Sequence, residues 1–140
     1  GTHPDFTKYV KATIPFVGVS DLVAKRFLTD IPYEDEIVHM GQPVRKMRDL
    51  MHERSPITWA EYSKSAILIL HGENDTRVHP SQSQELYRAL KMSGHTATRL
   101  IYYPGEGHGN RKHPGSIDLK PLDGPIPPLD ISEKYGLDLD

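Results

Sequence analysis

The sequence has no cysteine, no long apolar run and no excess of positive charge. Without cysteine, its 140 residues can form neither disulfide bonds nor thiolate metal sites. No stretch approaches the roughly 18 apolar residues of a membrane-spanning helix, and residues 1–10 lack the apolar centre of a signal peptide. With 17 basic and 19 acidic residues, the net charge of -2 offers no basic surface to a nucleic-acid backbone. These absences predict a soluble protein, with the cytoplasm favoured, that binds neither nucleic acid nor membrane.

Hydrophobic residues are also scarce, at 36% of the chain, whereas proline is abundant with 12 residues. Compact domains usually contain roughly 45 to 50% apolar residues, so we expect part of this chain to be extended. Five of the prolines fall within residues 114–140, among glycines and aspartates, and this segment has no helical periodicity. The sequence therefore predicts a folded portion over residues 1–113 and a Pro-rich extended tail over residues 114–140.

Strand-like and helix-like segments alternate along the first part of the chain. The pattern predicts strands at 10–19, 66–70 and 98–103 and helices at 21–27, 43–54 and 80–93. The run at 66–70 does not alternate in polarity, which is typical of a strand covered on both faces in a parallel sheet. Strand, helix and strand joined by short connections form a βαβ unit. The predicted fold is therefore α/β, with a mostly parallel sheet and helices on both faces.

Two polar loops follow two of the predicted strands. Asp75 lies after the strand at 66–70, and His108 lies after the strand at 98–103. Because catalytic groups gather beyond the carboxyl ends of parallel strands, we expect these two side chains to meet. A buried carboxylate can hold an imidazole in one tautomer and stabilise the cation that forms when the ring takes a proton. Turn formation alone would explain either residue taken singly, but their matched positions favour a catalytic pair.

The segments "ILILHGENDTRVHPSQSQELYRALKMSG" and "YYPGEGHGN" resemble the C-terminal part of an α/β-hydrolase of the prolyl oligopeptidase family of serine peptidases, which includes dipeptidyl and acylaminoacyl peptidases. Residues 2–22 are similar to the segment after the nucleophile helix in that family, and residues 55–62 to the stretch before the acid strand. The resemblance covers residues 2–113. It implies that Asp75 and His108 are the acid and the base of a Ser-Asp-His triad.

The sequence departs from the family pattern in two places. No G-x-S-x-G nucleophile motif occurs in the 140 residues, and the segment "GVSDL" around Ser20 lacks the second glycine. A long closing helix is expected after His113, where Pro-rich sequence stands instead. The prediction is therefore a partial α/β-hydrolase that lacks the nucleophile elbow and the closing helix. By this resemblance, the nucleophile serine and the oxyanion donors lie upstream of the chain.

The implied activity is serine-type hydrolysis of peptide bonds. His108 would take the proton of the upstream serine and Asp75 would orient His108, with no metal or cofactor required. The 140-residue chain alone is expected to be inactive, because it lacks the nucleophile and the oxyanion donors. Its expected partners are a peptide or acyl substrate and the missing N-terminal part of the same hydrolase. An uncovered strand edge also favours oligomers.

Two alternative functions stay open. The absent nucleophile and closing helix favour a truncated, non-catalytic remnant or interaction module, whereas an esterase or dienelactone-type acyl hydrolase would share the acid and base loops.

Other polar residues near these loops carry weaker hypotheses. His71 and His79 flank the acid loop and are expected to pack or hydrogen-bond locally, while Glu73, Glu106 and Arg77 are expected to shape the loops or meet solvent. A metal site on His108 and His113 lacks a third ligand. The segment "MHERSP" lacks the second histidine of a zinc-peptidase helix.

Overall fold

The computed structural model describes residues 1–109, without the side chains of residues 35–37. The predicted tail at 114–140, the segment expected to replace the closing helix, and His113 all lie outside this part, so the domain boundary at residue 113 stays a prediction. The helices and strands are β1 (Ala12–Thr13), α1 (Leu22–Leu28), α2 (Pro32–Glu34), α3 (Val44–Arg54), β2 (Ala66–Gly72), α4 (Ser81–Met92) and β3 (Thr98–Tyr103). The 3-10 helices Thr7–Tyr9 and Pro56–Tyr62 and the π-helical stretch Asp35–Met40 connect them.

The three strands form a parallel sheet in the order β1-β2-β3. Strand β2 lies in the centre, where Ile67 pairs with Thr98 of β3 at one end and His71 pairs with Tyr102 near the other. Helix α4 connects β2 to β3, so the predicted βαβ unit is confirmed. The carboxyl ends of the two strands consequently reach the same edge of the sheet.

The predicted strand at 10–19 is much shorter in the structure. Only Ala12 and Thr13 form β1, although Pro15 and Val17 still exchange backbone hydrogen bonds with Leu70 of β2. Pro15 has no N–H to donate to a ladder. Val17 has a φ of 48°, a left-handed conformation that cannot continue a strand and is strained for a β-branched residue. The prediction was wrong in length because these two residues break the regular pairing.

Helix α4 packs on one face of the sheet and forms the core there. The buried apolar side chains at this contact come from β2, β3, α4 and the 3-10 helix at 56–62: Ala60, Ile67, Ile69, Leu86, Leu90 and Leu100. Burying each of the larger ones stabilises the fold by about 1.5–3 kcal/mol. The opposite face bears Leu68, Leu70 and Ile101, which are only half-buried. Residues 1–109 therefore do not supply the second cover that the apolar run at 66–70 led us to expect.

Side-chain capping defines the start of α1. The carboxylate of Asp21 accepts hydrogen bonds from the backbone N–H groups of Val23 and Ala24, at 2.8 and 2.9 Å. Such an N-cap stabilises a helix by about 1 kcal/mol. Asp21, and not the neighbouring Ser20, is thus the residue that caps α1.

The two longer helices follow the predicted bounds closely. Helix α3 begins at Val44 rather than at Pro43, which keeps an extended ψ of 148°, and it ends before Ser55. Helix α4 ends at Met92, and Gly94 follows with a φ of 82°, a conformation that glycine adopts without steric cost. In the part of the chain described by the structure, no helix is both long and apolar enough to cross a membrane.

Candidate active site

The acid loop after β2 buries the carboxylate of Asp75 and fixes one of its oxygens. Oδ1 accepts hydrogen bonds from the backbone N–H groups of Arg77 and Val78, both at 2.9 Å. This is the turn that a short acidic side chain forms with residues two and three positions ahead. Because Oδ1 is occupied in this way, Oδ2 is the oxygen that faces the second loop.

His108 meets Oδ2 of Asp75 through its Nδ1 atom at 2.8 Å. The structure thus brings the two predicted residues together across 33 positions of sequence. A carboxylate only accepts hydrogen bonds, so Nδ1 carries the hydrogen and Nε2 of the neutral ring is the basic atom. The side chain of His108 is 46% exposed, whereas that of Asp75 is 0% exposed. This arrangement places an available proton acceptor at the surface and its orienting charge in the interior.

The base loop between β3 and His108 packs directly on the acid loop. The N–H of Asn74 donates to the carbonyl of Glu106 at 2.8 Å. A Cβ atom added at Gly72 would lie 2.5 Å from the carbonyl oxygens of both Glu106 and Gly107, closer than real Cβ contacts allow. Glycine at position 72 therefore permits the close approach that lets the two loops share their polar groups.

His71 lies beneath the acid loop and is fully buried, at 0% exposure. Its Nε2 atom lies 2.7 Å from the carbonyl oxygen of Val78 and 3.3 Å from Oδ2 of Asp75, and its Nδ1 atom lies 2.6 Å from Oγ of Ser83. Burial lowers the pKa of the His71 imidazole. The expectation that His71 forms local hydrogen bonds is confirmed, with a link to α4 that the sequence did not reveal.

The outer side of the acid loop is held by Asp30. Nε of Arg77 donates to Oδ1 of Asp30 at 2.6 Å, and the hydroxyl of Thr76 donates to Oδ2 at 3.1 Å. The hydrogen bond from Arg77 lowers the pKa of the Asp30 carboxyl. The expectation that Arg77 shapes the loop is therefore met by a contact with a residue in the turn before α2.

The side chain of Glu106 was expected to shape the loop or meet solvent, but in the structure it is buried. It is only 1% exposed, and neither carboxylate oxygen has a hydrogen-bond partner within residues 1–109. Glu73, by contrast, is exposed as expected, and His79 is exposed while making the expected local hydrogen bond, with Ser81. The neighbours of Glu106 in sequence, glycines and His108, gave no sign that its side chain is buried. The burial results from the packing of the base loop on the acid loop.

Ser20, the nearest match to a nucleophile motif, contacts α4. It is fully buried, and its hydroxyl lies 2.6 Å from the carbonyl oxygen of Gln82 and 2.6 Å from Oε1 of Glu85. Burial raises the pKa of the Glu85 carboxyl, and the charge of Asp21 adds to the effect. These contacts give Ser20 a structural role in joining α1 to α4.

Within residues 1–109, no metal-binding group includes the Asp75–His108 pair, and the groove beside α4 does not include it either. No group of three or more His, Asp and Glu side chains in this part of the chain could hold a metal ion. A groove of about 410 Å³ lies between β1, β2 and α4, and its lining includes Ile67, Ile69 and Leu86 but not the pair. The Asp75–His108 pair therefore lies outside the lining of this groove.

Comparison with known proteins identifies the family. The model of the prolyl oligopeptidase family matches residues 3–120. This chain belongs to the prolyl oligopeptidase family. The membership predicted from the two loop motifs is thereby confirmed, and members of this family are serine peptidases.

Relatives in the prolyl oligopeptidase family are much longer than this chain. An uncharacterized peptidase of Bacillus subtilis, YuxL, is 37% identical over 68% of this chain and 13% of its own length. The human acylamino-acid-releasing enzyme is 30% identical over 77% of this chain and 15% of its own length. The chain therefore spans about one seventh of the relatives that it matches.

A solved relative confirms the predicted α/β-hydrolase fold. The puromycin-hydrolyzing peptidase of Mycobacterium tuberculosis superposes with a TM-score of 0.62 at 28% identity, covering 71% of this chain and 15% of that protein. The parallel β1-β2-β3 sheet with its helices is thus part of a larger family fold.

Proposed function

We propose that this chain supplies the acid and the base of a serine-type peptidase, with Asp75 orienting His108. The observation that carries the proposal is the 2.8 Å hydrogen bond between Nδ1 of His108 and the buried Oδ2 of Asp75. Fixing Nδ1 as the protonated nitrogen leaves Nε2 as the base, which is the tautomer that a triad needs. Membership of a family of serine peptidases supports the same chemistry.

In the proposed reaction, Nε2 of His108 takes the hydroxyl proton of a serine while the serine oxygen attacks the carbonyl carbon of a peptide bond. The imidazolium that forms is stabilised by Asp75, and its proton passes to the leaving amine as the C–N bond breaks. A water molecule then attacks the acyl carbon bound to the serine while Nε2 of His108 takes one of its protons. The proton passes to the serine oxygen as the ester bond breaks and the acid product leaves. No G-x-S-x-G motif occurs in the 140 residues. We therefore propose that the serine lies in sequence upstream of Gly1.

The proposed substrates are peptides whose N-terminal residues are released. Support comes from the name of the human relative, an acylamino-acid-releasing enzyme. The experiment measures hydrolysis of N-acetyl-alanine p-nitroanilide, a dipeptide p-nitroanilide and p-nitrophenyl acetate by the complete gene product. Turnover of an anilide supports a peptidase. Turnover of the ester alone would favour the esterase alternative, and a folded product inert towards all three would favour the non-catalytic remnant.

Substitutions of the pair test the assigned roles. We expect Asp75→Asn and His108→Gln each to lower kcat/KM about 1,000- to 10,000-fold, because the first disturbs the tautomer of the base and the second removes it. The matched control is His79→Gln, since His79 lies in the same loop but is exposed, and its kcat/KM should stay within about threefold of the wild type. Equal effects of all three substitutions would contradict the assignment.

The isolated 140-residue chain provides a further test. It should hydrolyse p-nitrophenyl acetate no faster than buffer does, since loss of even one oxyanion donor costs about 100- to 1,000-fold in rate. Ester turnover by the purified chain that disappears in His108→Ala would show that the chain carries its own nucleophile.

A further inference from the structure

The ends of β2 and β3 hold the first turn of α4 through two side chains. His71 and Tyr102 are paired across the strands. The hydroxyl of Tyr102 donates to the carbonyl of Pro80 at 2.9 Å, and Nδ1 of His71 lies 2.6 Å from Oγ of Ser83. Tyr102 also has its pKa raised to about 12 by burial, so its hydroxyl keeps the hydrogen that it donates. His71 thus belongs to a fixed joint between the sheet and the helix.

The partners of His71 determine where its hydrogen is. The carbonyl oxygen of Val78 only accepts hydrogen bonds, so Nε2 carries the hydrogen and donates it over 2.7 Å. Nδ1 is then an acceptor, and the hydroxyl of Ser83 donates to it. Complete burial disfavours a second proton on the ring. His71 is consequently a neutral imidazole with both nitrogens in use.

The same hydrogen bonds connect His71 to the catalytic acid. The residue Val78 donates its N–H to Oδ1 of Asp75 and accepts from Nε2 of His71 through its carbonyl. Nε2 of His71 is also 3.3 Å from Oδ2 of Asp75, the oxygen that meets His108. The turn that holds Asp75 is therefore closed from below by His71.

We propose that His71 is a positioning residue for the catalytic pair, which fixes Val78 and Asp75 so that Oδ2 faces Nδ1 of His108. Because His71 is neutral, it adds a hydrogen bond to the acid loop without cancelling the charge that stabilises the His108 cation. The residue acts through Asp75 and does not touch the substrate. The kinetic consequence rests on the proposed function, whereas the effect on the loop does not.

The test compares two substitutions of His71 in the complete gene product. His71→Leu removes both hydrogen-bonding nitrogens, while His71→Gln keeps a donor and an acceptor in a side chain of similar reach. His79→Gln is the matched control, because His79 contacts Ser81 at the exposed side of the same loop. The measurements are kcat and KM on the p-nitroanilide substrates and amide hydrogen exchange of the peptide that spans residues 72–79.

We expect His71→Leu to lower kcat about 10- to 100-fold with KM within about threefold, since small displacements of catalytic groups act on the chemical step. Exchange in residues 72–79 should become about tenfold faster, while exchange in β2 and β3 stays unchanged. His71→Gln should recover most of both effects, and the control should show neither.

Two results would overturn the proposal: an unchanged kcat in folded His71→Leu, or a loss that accompanies faster exchange throughout the sheet and is not recovered by His71→Gln. If His71→Leu does not fold, Ser83→Ala provides the second variant. It removes the donor to Nδ1 and should accelerate exchange in residues 72–79 about threefold, and no acceleration would overturn the proposal. An inactive wild type would refute the proposed function, whereas the exchange measurements would still decide the role of His71.

Discussion

Helix α4 is held at two junctions, and the two use opposite kinds of titratable group. At the junction with the strands, the imidazole of His71 accepts a hydrogen bond from Ser83. At the junction with α1, the hydroxyl of Ser20 lies between the carbonyl of Gln82 and the carboxyl of Glu85. The first junction supports the proposed catalytic pair, whereas the second only joins helices.

Burial acts against the charged form of the titratable group at both junctions. Burial lowers the pKa of His71 and raises the pKa of Glu85, because each charged form loses its hydration. The hydroxyl of Ser20 has one hydrogen, and two acceptors, the carbonyl of Gln82 and Oε1 of Glu85, each lie 2.6 Å from its oxygen. Burial therefore shifts the pKa of the base at one junction and of the acid at the other in opposite directions, and in each case the charged form is the one disfavoured.

The largest expected loss comes from Gly72→Ala, next to His71, where the acid loop packs on the base loop. Its Cβ would lie 2.5 Å from two carbonyl oxygens of the base loop, so the backbone of one loop must move. We expect the free energy of unfolding to fall by about 2–4 kcal/mol, as measured by denaturant titration. The control is Gly107→Ala, where a Cβ would have its nearest neighbour at 4.0 Å. Equal losses in the two variants would contradict the steric explanation.

Gln82→Leu should disrupt the junction with α1. The expected loss of unfolding free energy is somewhat smaller than for Gly72→Ala. The fully buried Oε1 atom of Gln82 accepts from the N–H groups of Ser20 and Asp21, at 3.0 and 2.9 Å. Leaving these donors unpaired should cost about 2–3 kcal/mol, measured by thermal and denaturant unfolding. Gln84→Leu on the same helix is the control. If the proposed division of roles holds, Gln82→Leu also leaves the kcat of the complete enzyme within about threefold.

The pH dependence of the free energy of unfolding distinguishes the two junctions. The folded-state pKa of His71 is lowered from its model-compound value of 6.5, so the unfolded chain binds more protons as the pH falls below 6.5. The free energy of unfolding should therefore decrease on acidification, with a contribution from His71 approaching about 1.4 kcal/mol per pH unit. His71→Gln should lose this part of the slope between about pH 6.5 and 5, whereas His79→Gln should change it less. Parallel curves for the wild type and His71→Gln would refute the neutral imidazole.

The smallest expected effect comes from Glu85→Gln, which should raise the free energy of unfolding at pH 7, whereas the preceding variants lower it. The folded-state pKa of Glu85 is raised above 4.5, so its favourable contribution is complete below 4.5 and is lost as the pH rises through the folded value. An amide cannot ionise and can still donate to Ser20, so the variant should be more stable than the wild type at pH 7 by up to about 1 kcal/mol. The exposed Glu61→Gln is the control. A destabilised Glu85→Gln protein at pH 7 would show that the charged form is the one that fits.

The sequence alone was sufficient to predict the strands, the helix and the residue pair whose formation depends on local sequence pattern. The apolar run of β2, the amphipathic α4 and the strand β3 were predictable from polarity and turn residues, and the meeting of Asp75 with His108 followed from the geometry of parallel strand ends. Each of these features depends on a rule that acts within a single βαβ unit.

The features that escaped prediction depend on a local backbone conformation in one case and on contacts between separate segments in the others. The length of β1 is limited by Pro15 and by the positive φ of Val17, which no local polarity pattern reveals. The role of His71 requires Val78 and Ser83 to lie on either side of one buried ring. The burial of Glu106 likewise results from the packing of two loops that are separate in sequence.

The interlocking of the acid and base loops has a consequence for how such a site can be inherited. His71, Asp75, Val78, Ser83 and His108 all fall within the uninterrupted stretch from β2 to the base loop. A recombination event that moved this stretch would carry the proposed acid and base with these inner supports, but not Asp30, which holds the outer side of the acid loop. The proposed acid and base and their inner supports are therefore encoded in one continuous segment, and a transplanted copy would need a replacement for the contacts of Asp30.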